Sequence, residues 1–143
     1  MWVIKMNEDA IFERYILKLK INGLKNCGMH GNLLLHELFV RYGERRGDGT
    51  NGEIVQGYIS VGKESCWHVW VESGDDGEKK YDVVRRLTGS SFEYLREKPE
   101  AGAEEDPEVS AQYELYTTDK SEFWKKSAPK MKNFRAKMMQ KLF

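Results

Sequence analysis

The sequence predicts an α+β protein in which N-terminal helices pack on an antiparallel β-sheet and a further helical segment forms the C-terminal end. Three observations carry that expectation. Apolar residues recur at helical spacing up to about residue 42, alternate with polar ones between 53 and 84, and return to helical spacing after 120. A chain of 143 residues fits one domain, 1–143. Its 40% hydrophobic and 32% charged residues describe a globular chain, and no apolar run is long enough to cross a bilayer.

Residues 8–21 place Ile11, Phe12, Tyr15, Ile16 and Leu19 on one helical face, with Asn7 or Asp9 available to cap the first amides. The stretch "NGLKN", 22–26, breaks that pattern. A second helix is expected from about Cys27 to Tyr42, with Leu34, Leu35, Leu38 and Phe39 inward and Gly43 at its end, followed by the polar, glycine-rich loop 43–52. "EIVQGYISV", "CWHVWVE" and "KKYDVV" then read as a three-stranded meander whose second hairpin turns at "SGDDGEK". "SSFEYLRE" is expected as a short helix, 97–110 as a flexible acidic loop, and "QYELYTT" as one more strand. Residues 120–143 read as a basic amphipathic helix broken or kinked at Pro129, with Met131, Phe134, Met138, Met139 and Leu142 along one stripe.

Charge is distributed unevenly although the net is zero. Between Glu93 and Glu114 eight acids face two bases, and between Lys120 and Phe143 eight bases face one acid. The basic end is expected either to pair with its own chain or to meet an acidic partner or nucleic acid. The N-terminus lacks the ordered basic, apolar and small-residue regions of a signal peptide, so an intracellular site is expected. Two cysteines make no disulfide framework and leave two thiols available for chemistry.

Three residues stand where catalysis would use them. Cys27 opens a helix, where free amides and the macrodipole favour a thiolate. Gly28 leaves its sulfur accessible, and Gly31 is expected to let the helix approach the sheet. His68 lies in a strand, and Asp82 in the strand that returns from the hairpin. Pairing His68 with Asp82 centres that hairpin on residue 75, inside the turn signal, so the carboxylate is expected to orient the imidazole and stabilise its protonated form.

Cys27 before an apolar helix, "SCWHVWVE" with His68 and "KKYDVV" with Asp82 together resemble the core of the transglutaminase-like branch of the papain-like cysteine enzymes, over about residues 20–90. In that family the order is Cys, His, Asp, and the cysteine helix packs on an antiparallel sheet carrying the other two. The resemblance implies thiol acyl transfer on a protein or peptide amide, as in amidases, peptidases and transglutaminases. Cys27 would form the thioester, His68 would carry the proton and Asp82 would orient His68, with no cofactor and no metal. The Cys27 amide together with Gln56 or Trp67 would form an oxyanion hole, and His30, one turn from Cys27, would assist ionisation or meet substrate. Asn26 and Gly28 depart from the tryptophan or small apolar residues that the family often places beside its cysteine.

Two other readings use the same atoms or the same chain. Cys27, His30, Cys66 and His68 offer a Cys2His2 zinc set with unusual C-x2-H and C-x-H spacings. The basic C-terminal segment alternatively makes the chain a catalytically inactive binding module.

Overall fold

The computed structural model describes residues 7–46, 52–74, 77–99 and 105–141. It is α+β, with six helices and four strands among those residues. Helix α1 (Glu8–Ile21) starts where Asn7 accepts the Ala10 amide at 2.9 Å, and it carries Glu8 and Asp9 in its first turn and Lys18 and Lys20 in its last. Its buried face is Ile11, Phe12, Tyr15, Ile16 and Leu19, as the spacing predicts.

Helix α2 (Gly28–Arg46) runs through the middle of the molecule and outlasts its expected end at Gly43. Gly43 is itself buried. A mid-helix glycine costs about 1 kcal/mol against alanine, less than the packing of the apolar helix around it contributes. Leu33, Leu34, Leu35, Leu38 and Phe39 of α2 all lie at 1% exposure or less.

Strand β1 (Glu53–Val61) has the expected bounds and pairs antiparallel with β2 (Glu64–Ser73) from Glu53↔Glu72 to Val61↔Glu64. Strand β3 (Lys79–Tyr81) is shorter than "KKYDVV". The chain leaves the sheet at Asp82 and forms helix α3 (Val83–Thr88), which Gly89 ends at φ 70°. "SSFEYLRE" is strand β4 (Glu93–Leu95) and not a helix; it pairs with β1, giving the order β3-β2-β1-β4. The four-stranded sheet replaces the expected meander of three.

"QYELYTT" is helical, within α4 (Pro107–Thr118). Asp106 caps it through the Glu108 amide at 2.9 Å and Pro107 stands in its first turn, so a good N-terminus outweighs the β preference of Tyr and Thr. The expected acidic loop therefore ends at Asp106, and its part from 100 to 104 lies outside the described residues. Two helices follow, α5 (Lys120–Lys126) and α6 (Pro129–Lys141), with Pro129 opening the second and not bending a single helix. Met131, Phe134 and Met138 are buried by docking on the body; Leu142 lies outside the described residues.

The main core lies between the helices and the sheet face bearing Val69 and Val71. On the opposite face Val55, Ile59 and Trp70 are buried, with the Tyr94 ring 4.8 Å from that of Trp70. Gly57 makes this possible. A Cβ there would stand 2.6 Å from Trp70 Cη2 and 2.7 Å from the Leu95 carbonyl. No helix among the described residues is long and apolar enough to cross a membrane.

Candidate active site

His68 lies at the middle of β2, opposite Gly57, and its Nε2 is 2.7 Å from Asp82 Oδ2. The expected contact is present, but the register that makes it differs. The hairpin pairs Val71 with Tyr81 and Glu72 with Lys80, so its centre falls one residue later, and Asp82 is no longer a ladder residue. Asp82 is the N-cap of α3, where Oδ1 accepts the amides of Val84 at 3.0 Å and Arg85 at 3.4 Å. From that corner at the edge of β2 it meets the imidazole diagonally, two positions along from a direct cross-strand pair.

Asp82 is 4% exposed, and both of its oxygens are occupied. Asn32 Nδ2 donates to Oδ1 at 3.0 Å, and the Tyr94 hydroxyl donates to Oδ2 at 3.1 Å beside His68. Burial alone would raise this carboxyl. The His68 bond and charge, the Asn32 bond and the α3 amide together hold it below the usual carboxylate range, so it is ionised. An ionised carboxylate facing Nε2 accepts the proton there, which leaves Nδ1 of the neutral ring with the free lone pair. Burial, and the nearby Asp82 charge, push the Tyr94 phenol up, keeping it a donor. The His68 ring lies between Trp70 and Phe92, at 6.1 and 5.8 Å between centroids.

Asn32 and Tyr94 are the site residues that sequence reasoning missed. Asn32 is fully buried and ties three elements together: Nδ2 donates to the Val69 carbonyl of β2 at 2.8 Å as well as to Asp82, and Oδ1 accepts the Val83 amide of α3 at 2.8 Å. Its signal was present. An amide immediately before Leu33-Leu34-Leu35, on a helix face destined for the core, must find partners there. Tyr94 was hidden because its segment reads as a helix.

Cys27 immediately precedes α2 and is half-buried. Burial pushes its thiol up to about 11, although its own amide and that of Gly31 pull the other way. The expected lowering by the helix N-terminus is therefore reversed, because desolvation of a thiolate outweighs the field of two amides. No hydrogen bond joins Cys27 to His68, so of the three expected catalytic residues the structure brings together His68 and Asp82 but not Cys27. A Cβ on Gly31 would collide with Cys27 Sγ and stand 2.7 Å from Val83 Cγ2. Gly31 thus lies between the sulfur and Val83 of α3, and its close approach is to that helix and not to the sheet as expected.

His30 shares with Cys27 the wall of a cavity of about 890 Å³ between α2, α4, α5 and α6. Its ring stacks on Phe123 at 5.1 Å, and burial lowers its pKa, favouring the neutral form. Gln56 is exposed on β1 opposite Val69, and Trp67 packs edge-on against Tyr113 of α4 at 5.8 Å. Cys66 is exposed on β2. Among the described residues no three His, Cys, Asp or Glu side chains come together in a way that could hold a metal ion, so the Cys27, His30, Cys66 and His68 set is not assembled. In the basic C-terminal segment, Arg135 is held by Glu37 of α2 at 2.9 and 3.1 Å, and Lys126 lies 3.7 Å from Glu122.

Compared with protein-family models, with curated proteins and with solved structures, the chain matches none.

Proposed function

We propose that the chain is a thiol acyl-transfer enzyme of the transglutaminase-like kind, acting on a protein or peptide amide. The observation that carries this reading is the His68–Asp82 pair, whose buried carboxylate is ionised and whose imidazole donates Nε2–H to it, leaving Nδ1 with the lone pair. Cys27 is a neutral thiol at rest and needs a base to attack. In the proposed cycle His68 Nδ1 takes the thiol proton as sulfur adds to the amide carbonyl. The tetrahedral oxyanion is met by the Cys27 amide at the start of α2, with Gln56 or Trp67 as candidate second donors. Collapse breaks the C–N bond, His68 returns the proton to the departing amine, and a thioester remains on Cys27. Water or a second amine, deprotonated by His68, then releases the acyl group and restores the thiol. Asp82 stays ionised throughout and stabilises the imidazolium. No hydrogen bond joins Cys27 to His68, and His68 shares the sheet face of Trp70 while Cys27 packs with the core on the Val69 face, so the cycle requires a rearrangement on substrate binding that brings Nδ1 to the sulfur.

The raised thiol favours a second reading, a binding module that does not turn over. Alkylation by iodoacetamide separates the two. The enzyme reading expects Cys27 to react near neutrality along a pH profile that His68→Ala removes. A rate that climbs only toward the alkaline range, unchanged in His68→Ala, leaves the binding module.

A further inference from the structure

The 890 Å³ cavity belongs to the C-terminal helices as much as to α2, and it opens on the two residues of "NCGMHG" that carry chemistry. Its floor is apolar, formed by Leu24, Leu115, Phe123 and Met131, of which Leu24, Phe123 and Met131 are at least nine-tenths buried. Its size matches pockets that enclose most of a small ligand. The rim carries two cations and one acid. Among the described residues Lys130 reaches the Gly23 carbonyl, at 3.5 Å, and Lys126 keeps a long, solvent-exposed contact with Glu122; the lining acid is Glu108. An apolar floor, a basic rim and a thiol in the wall specify a ligand with an apolar side chain beside an anion.

We infer that this cavity is the acyl-donor pocket of the chain and selects peptide amides with a large apolar side chain next to an acidic residue. The inference rests on the thiol acyl-transfer reading only for the word donor; the pocket's ligand preference is tested without turnover. Burying an aromatic side chain on the floor is worth about tenfold or more in affinity. An exposed charge contact at the rim is worth about threefold. His30, favoured in its neutral form by burial and stacked on Phe123, adds a polar ring to the cavity wall.

The experiment is calorimetric titration of the full chain carrying Cys27→Ala with N-acetyl-aspartyl-phenylalanine amide. Exchange of the phenylalanine for glycine is expected to weaken binding about tenfold or more, and exchange of the aspartate for lysine about threefold. Ala111→Trp on α4 and Ala128→Trp before α6 change exposed residues that line the cavity from different elements, so both are expected to fold, with unchanged helical circular dichroism, and to abolish binding. Equal affinity for the glycine and phenylalanine peptides, or binding that survives both tryptophans, overturns the pocket. Indifference to the aspartate-to-lysine exchange overturns its acidic preference. Failure of Cys27 alkylation alongside selective peptide binding would overturn the acyl-transfer reading and leave the pocket standing.

Discussion

Asp82 and Cys27 are both anchored at helix N-termini, at α3 and α2, and their surroundings differ sharply. Five donors converge on the two oxygens of Asp82, which fixes it ionised in a buried corner. At Cys27 the groups that favour a thiolate are backbone amides, and burial outweighs them and keeps it a neutral thiol. A helix N-terminus therefore does not set the charge state of the residue beside it. The same field stabilises an anion at one site and loses to desolvation at the other, because side-chain donors reinforce it only at Asp82. In the proposed reading the acid–base pair is already in place in the fold, while the thiol is not, and its engagement depends on what enters the cavity.

The largest test of that contrast removes the carboxylate. Asp82→Ala leaves five donors without their acceptor and is expected to cost about 3–5 kcal/mol in urea unfolding. Asp82→Asn keeps the shape, and its comparison with wild type reads the charge. Because the folded carboxyl lies below its unfolded value of about 3.9, its contribution is complete above that pH and is lost as pH falls through the folded value. The stability gap between wild type and Asp82→Asn is thus expected to stay level from neutrality to about pH 4 and to close below it. A gap that is constant at every pH would show that Asp82 is not held as an anion.

Asn32→Ala comes next. It strands the Val83 amide and weakens the hold on Asp82 while leaving the His68 contact in place, for an expected loss of about 2–3 kcal/mol. A loss under about 0.5 kcal/mol would mean that the three elements are held without this amide. On the thiol side, Gly31→Ala forces a methyl onto Cys27 Sγ and Val83, costing about 1–3 kcal/mol. It also displaces the sulfur from its seat. Alkylation of Cys27 is expected to quicken, measured at a pH where the wild type reacts slowly; slower alkylation would place the sulfur deeper, not freer.

What the sequence made legible follows from range. α1 and β1 have the expected bounds because their signals are local: the Asn7 cap and the apolar face of one, the alternation of the other. The His68–Asp82 pair was legible from the turn between them, although the reading placed Asp82 in a ladder that ends at Tyr81. Nothing local tells a cap from a strand residue in "YDVV", since an aspartate followed by two valines suits both. The helical reading of residues 90–97 failed because β4 gains its pairing from Ser60 and Ile59, more than thirty residues away. Gly43 and "QYELYTT" failed in the opposite sense, their propensities overruled by the packing of α2 and by the Asp106-Pro107 start of α4. The thiol was misjudged for a related reason, since the field at a helix start is visible in sequence and the burial that opposes it is not.

The smallest expected effect is the most selective. Tyr94→Phe deletes one donor from Asp82 Oδ2 and keeps the ring on Trp70, so stability should fall by only about 1 kcal/mol. With Tyr94 gone, His68 is the remaining side-chain donor on that oxygen, and the carboxylate's charge is shared less widely. The His68 bond then carries more of the carboxylate's charge, and in the proposed reading that change reaches Cys27 through His68. The alkylation profile of Cys27 is expected to move upward in pH relative to wild type while its plateau is kept. A shift in the profile caused by a residue on the far side of Asp82 would tie the thiol to the preorganised half of the site through His68. A profile that stays in place while stability falls would leave Tyr94 a prop for the carboxylate alone, and Cys27 uncoupled from it.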